Sequence, residues 1–227
     1  IIPTLNEEKY IRKTLQCLQE FRKNKIIEII IVDGLSQDNT LALSRDLCDK
    51  VISVKPGRAD QLNAGALKAN NNLLLFIHAD TIVNPENIHE LLRKYEKIEW
   101  GYFHLGFRTR AFKFKLLSYC INLRSTLFKY ATGDQCLFVK KKLFKKVNGY
   151  SSLRLMEDVE LSNKLLEITK PKMMESIVYT SARKWINDGY IKTILKMRVL
   201  RFLYFLGLDT KYIETVSYTH LRAHETC

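Results

Sequence analysis

The sequence predicts an α/β protein with a mostly parallel, mixed sheet flanked by helices, and three observations carry that expectation. Short apolar or β-branched runs alternate with helix-period segments through the first half of the chain, an order that calls for parallel strands with helices on both faces. Leu73 to Ile77 is a continuous apolar run, entered through Asn70-Asn71-Asn72 and left through His78-Ala79-Asp80, the pattern of a strand buried on both faces. Polar clusters stand just past the strands, where open α/β sheets keep their ligand crevice. A length of 227 residues with 46% hydrophobic content suits a globular domain with a full core.

The elements follow in order. Ile1-Ile2-Pro3 reads as a strand entered part-way, so the front of strand one is expected to be missing. Ile11, Leu15, Leu18 and Phe21 recur at helical spacing within 7–23, and Asn6 ahead of Glu7-Glu8 sets acids at the positive end of that helix. A β-branched strand is predicted over 26–32, a polar loop over 33–39, a helix over 40–48 and a short strand over 51–54. Leu62, Ala66 and Ala69 share one face of a helix over 57–70, which leads into the buried strand. Asn84-Pro85 caps the next helix, 86–97, with proline in the first turn where its missing donor costs nothing. Beyond it come an edge or mixed strand over 100–108, a helix rich in aromatics and bases over 112–129 and a short strand over 135–139. Helices over 141–147 and 158–168, a strand near 177–179 and a long helix ending near Gly207 complete the order. No repeat or linker interrupts it, so one domain is expected over 1–215. The closing stretch 216–227, VSYTHLRAHETC, abandons the pattern and resembles adapter readthrough. It is read as a non-native tail, and His220, His224 and Cys227 are set aside as site residues.

A formal charge of +13 favours anionic partners: nucleotide phosphates, nucleic acid or an acidic membrane surface. Cys17, Cys48, Cys120, Cys136 and Cys227 are scattered without a CxxC pair, which predicts free thiols, a reducing compartment and no structural zinc. The longest apolar stretch, 191–208, is broken by Lys192, Lys196, Arg198 and Arg201 and is not expected to span a bilayer. The expectation is a cytoplasmic protein, with peripheral contact at the inner face of the membrane left open.

Four polar clusters hold the chemistry: Pro3-Thr4-Leu5-Asn6-Glu7 past strand one, 33–40 past strand two, His78-Ala79-Asp80, and Met156-Glu157-Asp158 before a helix. In a doubly wound sheet the first three converge on one crevice. Asp80 stands where a metal or a phosphate-bearing substrate would be handled; the plain alternative is the start of a turn. Asp33 closes a buried strand and is read as functional, whereas Asp38, just before a helix, is read first as its cap.

With these segments the chain resembles the family 2 glycosyltransferases of the GT-A fold, and more narrowly their selenodomain-associated branch. Ile1 to Glu7 (IIPTLNE) matches the family opening, and Ile31 to Thr40 (IVDGLSQDNT) its VDDGSxDxT element with Gly34 in place of the second Asp. Gly57 to Ala66 (GRADQLNAGA) matches the branch's GRAxQxNxGA. Gly133-Asp134-Gln135, Gly149-Tyr150, Glu157-Asp158 and Ala182-Arg183-Lys184-Trp185 match later elements, so the resemblance runs from Ile1 to about Gly207.

The resemblance implies a single GT-A domain that transfers a sugar from a nucleoside-diphosphate sugar to an acceptor hydroxyl, with inversion and metal assistance. It places Pro3, Thr4, Glu7, Asp33 and Gly34 in the nucleotide pocket, with Arg58 and Gln61 set to meet phosphate or sugar. Arg58 has the alternative of being one more surface base. His78-Ala79-Asp80 takes the place of the family's DxD motif, so Asp80 is implied as the ligand of a divalent cation, Mg²⁺ or Mn²⁺, that bridges the diphosphate. His78 stands where the family carries an acid. It is the weaker ligand, better suited to Mn²⁺, with hydrogen bonding to ribose or phosphate, or packing, as alternatives. Gly133, Asp134 and Gln135 fall on the acceptor side, and Arg183 and Trp185 in a late element that closes over diphosphate and acceptor. Trp185 serves equally as an aromatic core anchor. Asp158 is implied as the general base with Glu157 in support, against the plainer role of two acids at a helix N-terminus. The acceptor stays open: the mixture of Phe, Leu, Tyr and Lys over 111–130 and in the last helix admits packing, a lipid-phosphate acceptor or an interfacial surface.

A rival enzyme, a sugar-nucleotidyltransferase on a related sheet, would carry a Gly-rich loop with Arg and Lys after strand one, which residues 3–7 lack. The non-enzymatic alternatives are a basic nucleic-acid-binding protein and a membrane-surface protein. A nucleic-acid binder would gather its charge on one element with interleaved aromatics. Here the bases read as spread and the acids gather at strand ends, so no nucleic-acid partner is expected.

Overall fold

The computed structural model describes residues 1–153 and 155–208; the expected tail over 216–227 lies outside the described residues. Strands β1 (Ile2–Thr4), β2 (Ile30–Asp33) and β3 (Lys50–Ser53) pair in parallel, in the order β1-β2-β3. Strands β4 (Leu73–Leu75), β5 (Trp100–Phe107), β6 (Phe138–Lys140) and β7 (Lys172–Thr180) form the order β4-β6-β5-β7. In it β6 is antiparallel to β4 and β5, while β5 and β7 run parallel. Two backbone bonds join the halves: the Ile1 nitrogen donates to Leu75 O (2.8 Å) and Ile77 N–H to Ile1 O (3.0 Å). β4 thus lies beside β1, and the strand order runs β3-β2-β1-β4-β6-β5-β7. Chain order reverses between β1 and β4, and a crevice opens at that switch point, past the carboxyl ends of the strands.

The single helix expected over 7–23 is instead α1 (Ile11–Gln16) and α2 (Gln19–Lys23). Ile11, Leu15, Leu18 and Phe21 are all buried, on one face shared by the two helices. The helix breaks because Leu18 N–H donates only three residues back, to Leu15 O, while the Gln19 amide ties Leu15 O and Leu47 O together, both at 2.9 Å. Helices α3 (Thr40–Ser44), α4 (Arg58–Lys68) and α5 (Pro85–Lys94) fall where the sequence sets them, and α5 has a capping box between Asn84 and Asn87. Then follow α6 (Phe112–Phe128), α7 (Lys141–Lys146), α8 (Glu157–Leu166), α9 (Arg183–Asn187) and α10 (Tyr190–Phe205).

Of the two readings of β5, edge or mixed, the mixed one holds: it is antiparallel to β6 and parallel to β7. It lies between β6 and β7 with seven of its eight residues buried, and its glycines, which read as alternation, allow close approach: a side chain at Gly101 would overlap the backbone of Lys172. The core forms two layers, one on each face of the sheet. Ile30, Val32, Leu74 and Trp100 pack with Leu62, Leu161 and Leu165 of α4 and α8. Ile2, Ile31 and Phe138 pack with Ile11, Leu15, Ile88 and Leu91 of α1 and α5. Each fully buried aliphatic side chain contributes about 1.5–3 kcal/mol to this arrangement.

Candidate active site

The crevice past β1, β4 and β7 is a cavity of about 410 Å³. Pro3, Thr4, Glu7, Arg58, Gln61, His78, Asp80, Asp134, Arg183 and Trp185 line it, together with Leu5, Gly57, Ala79, Thr180 and Ser181. Ten predicted site residues therefore meet in one place. A second cavity, about 350 Å³, lies at the opposite ends of β1, β2 and β4 and contains none of them. Its Ile and Leu walls offer little to charged chemistry, so the polar cavity is the site.

Asp33, Gly34 and Gln61 build the floor. Asp33 is fully buried and does not line the cavity: its Oδ1 accepts from Thr4 Oγ1 (2.9 Å) and Ser36 Oγ (2.6 Å), its Oδ2 from Ser36 N–H (2.8 Å). Gly34 N–H donates to Thr4 O at 2.8 Å. The Gln61 amide donates to Thr4 O (2.9 Å) and Val32 O (2.7 Å), locking α4 onto β1 and β2. Asp38 accepts from Thr40 N–H (2.9 Å) and Glu8 N–H (3.1 Å), a structural role, but the cap position expected for it is held by Asn39.

One wall is a charge network. The Arg183 guanidinium donates to Glu7 Oε1 (2.6 Å), lies 3.2 Å from Asp80 Oδ2 and sits over the Tyr10 ring, 4.4 Å from its centroid. Burial pushes the Asp80 carboxyl above its ordinary pKa, and the Arg183 charge only partly offsets it. Tyr10 went unnoticed in the sequence because an aromatic one residue before a helix carries no signal by itself.

Opposite stands a second network. Arg58 Nε lies 3.2 Å from Glu157 Oε1, and its guanidinium touches the His78 ring at Nε2. Burial opposes the Arg58 charge, but Glu157, Asp158 and Asp134 outweigh it and hold the group protonated. Burial raises the Glu157 carboxyl, and Arg58 resists that rise. His78 Nδ1 faces Asp134 Oδ1 at 3.7 Å. Both His78 nitrogens thus point at protein groups other than Asp80. Gly133 is needed for this approach, since a side-chain carbon there would overlap the Arg58 guanidinium and the His78 ring.

Asp158 is outside the cavity lining. Its Oδ2 accepts from Gly133 N–H (2.6 Å) and its Oδ1 from Val159 N–H (2.8 Å). Gln135 is buried and accepts from Ser125 Oγ (2.9 Å), so it holds the loop rather than a ligand. Trp185 lines the cavity and also packs edge-on against Phe107 at 6.1 Å.

Among the described residues no three His, Cys, Asp or Glu groups are gathered to hold a metal. Asp80, Glu7 and Asp134 are the carboxylates of the cavity wall, and Glu7 Oε2 is buried without a hydrogen-bond partner in the protein. This donor set fits a hard cation that brings most of its oxygen ligands with it, as a metal diphosphate does, and not a cage made by protein alone.

Comparison with known proteins agrees with the architecture. The poly(ribitol-phosphate) beta-N-acetylglucosaminyltransferase TarS of Staphylococcus aureus is 32% identical over an alignment of 100 residues, covering 40% of this chain and 17% of that protein. The crystal structure of S. aureus TarS 1-349 in complex with UDP superposes with a TM-score of 0.62 at 20% identity, over 80% of this chain and 59% of that one. The mannosyltransferase PcManGT from Pyrobaculum calidifontis, in complex with GDP-Man and Mn²⁺, gives 0.63 at 16% identity, over 89% of this chain and 60% of that one. This chain therefore spans only part of these relatives, and what it shares with the solved structures is the GT-A fold. The family model described as Glycosyl transferase family 2 matches residues 1–131, more than half of the chain, and the protein belongs to that family.

Proposed function

We propose that this protein transfers a sugar from a nucleoside-diphosphate sugar to an acceptor hydroxyl, with inversion and with a divalent cation bound alongside the donor. The observation that carries the reading is the cavity at the strand switch point, where Asp80 and two arginines, Arg58 and Arg183, face one another in a family 2 fold. The relatives' complexes with UDP, and with GDP-Man and Mn²⁺, support a nucleotide-sugar donor.

Pro3, Thr4 and Glu7 bind the nucleotide end, while Arg58 and Arg183 attract the diphosphate and stabilise the charge that grows on it as it leaves. Asp80 would hold the cation. Bound there, the cation supplies Lewis-acid stabilisation of the departing diphosphate. The acceptor oxygen attacks the anomeric carbon from the face opposite the diphosphate, and Asp158 accepts the hydroxyl proton. Gly133 N–H orients that carboxylate, and Glu157 keeps Arg58 in place. Asp134 is the second reading for the base, favoured by its position in the cavity lining.

A thermal-shift panel of UDP, GDP, dTDP and CDP sugars, with and without Mn²⁺, tests the donor; Asp80→Ala should lose the metal-dependent part. Asp158→Asn should abolish turnover and leave nucleotide binding nearly unchanged. If Asp134→Asn does so instead, the base is Asp134. No stabilisation by any nucleotide in either metal condition would sink the proposal.

A further inference from the structure

We propose that the outer faces of α6 and α10 form one docking surface for a bilayer that contains anionic lipid. On α6, Phe112, Leu116, Tyr119, Leu123 and Leu127 recur every three or four residues and are 44–78% exposed. On α10, Ile191, Leu195, Val199 and Phe202 do the same at 51–71%. The opposite face of α6 is the packed one: Phe114 and Leu117 bury against Leu105 and Phe107, and Thr193 and Leu200 are the buried positions of α10. Each helix therefore points one apolar stripe inward and a second one out.

The two helices lie side by side and run in the same direction. The rings of Phe114 and Tyr190 meet at 5.6 Å near one end and those of Tyr130 and Phe205 at 6.4 Å near the other, and Tyr190 Oη donates to Lys113 O at 2.7 Å. Of the 23 exposed large hydrophobic side chains among the described residues, 14 fall within 112–128 and 186–208. A concentration of that kind marks an interaction surface rather than scattered exposure.

Charge decides what covers it. Residues 101–133 and 190–208 contain ten Lys and Arg and no Asp or Glu. The other 27 of the 37 Lys and Arg are spread along the rest of the chain, where acids accompany them. Arg108, Lys113, Lys115 and Lys192 are exposed, placed to reach lipid phosphates while their stems lie along the apolar stripe. A second copy of this chain would set ten positive charges against ten. No helix among the described residues is long and apolar enough to cross a membrane, so the pair lies in the interface plane. Docking of this kind does not depend on the transfer reaction proposed above.

Vesicle flotation with the full chain tests the proposal. The protein should float with mixed phosphatidylcholine–phosphatidylglycerol vesicles, stay in solution with phosphatidylcholine alone, and release as salt is raised. The double variant Leu195→Glu/Phe202→Glu should cut the bound fraction at least about tenfold. Lys192→Gln/Arg198→Gln should weaken binding to the mixed vesicles, and Leu67→Glu, which changes an exposed leucine of α4, should not. Circular dichroism verifies that each variant is folded. Failure of the intact chain to float with mixed vesicles overturns the proposal. So does equal flotation of the folded double variant, or a concentration-dependent dimer in light scattering that the double variant abolishes while vesicle binding is absent.

Discussion

Replacing Arg183 by alanine leaves Glu7 and Asp80 on the same cavity wall without their shared cation. Breaking a buried ion pair by removing one partner costs about 3–5 kcal/mol. The Arg183 side chain is 35% exposed, against 18% for Glu7 and 13% for Asp80, and solvent screening brings the expected loss down to roughly 1–2 kcal/mol. In a domain of this size that is roughly 2–8 °C in Tm. The pH dependence has a definite sign. Burial holds the Asp80 carboxyl above its ordinary 3.8, and Arg183 opposes that rise. A raised carboxyl pKa favours the folded state below the unfolded value, and that contribution is lost as pH rises through the folded value. Without Arg183 the folded value climbs further, so the deficit of the variant is full at neutral pH and closes as pH falls toward 3.8. Thermal unfolding of both proteins followed by circular dichroism across that range measures it. Mn²⁺ should also raise the Tm of the variant more than that of the parent, because the guanidinium no longer competes for Asp80. An unchanged Tm at neutral pH, or a deficit that widens on acidification, refutes the reasoning.

Gly133→Ala should keep the fold, checked by circular dichroism, yet forfeit the nucleotide-dependent thermal shift, because the added carbon displaces Arg58 and His78; overpacking of this kind costs about 1–3 kcal/mol. Glu90 ties α5 to β7 by accepting from Lys94 Nζ (2.6 Å), Glu175 N–H (3.0 Å) and Ser176 N–H (3.0 Å). Burial works against its charge, but these bonds hold its pKa at about 2 against an ordinary 4.5, which corresponds to roughly 3 kcal/mol. That stability is present above 4.5 and lost as pH falls toward 2, so Glu90→Gln should lower the urea midpoint most at neutral pH and hardly at all in strong acid.

Elements whose signal is local were readable in the sequence. The apolar run ending at Ile77 and the Asn84-Pro85 cap each state their structure within a few residues. β5 and β7 were harder because their pairing is made at a distance. Gly101 and His104 interrupt the apolar pattern of β5, and the first half of β7, Lys172 to Ser176, has little β-propensity of its own. It is held in extended form by β5 alongside and by Glu90 on α5. The same limit applies at the site. The sequence brings the acids to strand ends, but it does not separate Asp33, which is tied into the floor, from Asp80, which faces the cavity.

α4 explains why segments far apart in the sequence act as one site. Arg58, Gln61 and Gly65 follow helical spacing on this element. Gln61 holds the carboxyl ends of β1 and β2, Arg58 reaches Glu157 and His78, and Gly65 lets β1 approach, since a side chain there would overlap Ile1 and crowd Val32. Asn63 exchanges two bonds with Tyr150, at 2.7 and 3.0 Å, and Gly149 beside it adopts φ +62, where a side chain would press on the Asn63 carboxamide. Gly133 in turn positions Asp158. Few of these contacts touch the space where a substrate would lie, yet each sets the position of a group that does. Changes at Asn63 or Gly149 should therefore weaken turnover by misplacing Arg58 and Glu157, and disorder at α4 should disable the donor and acceptor sides together.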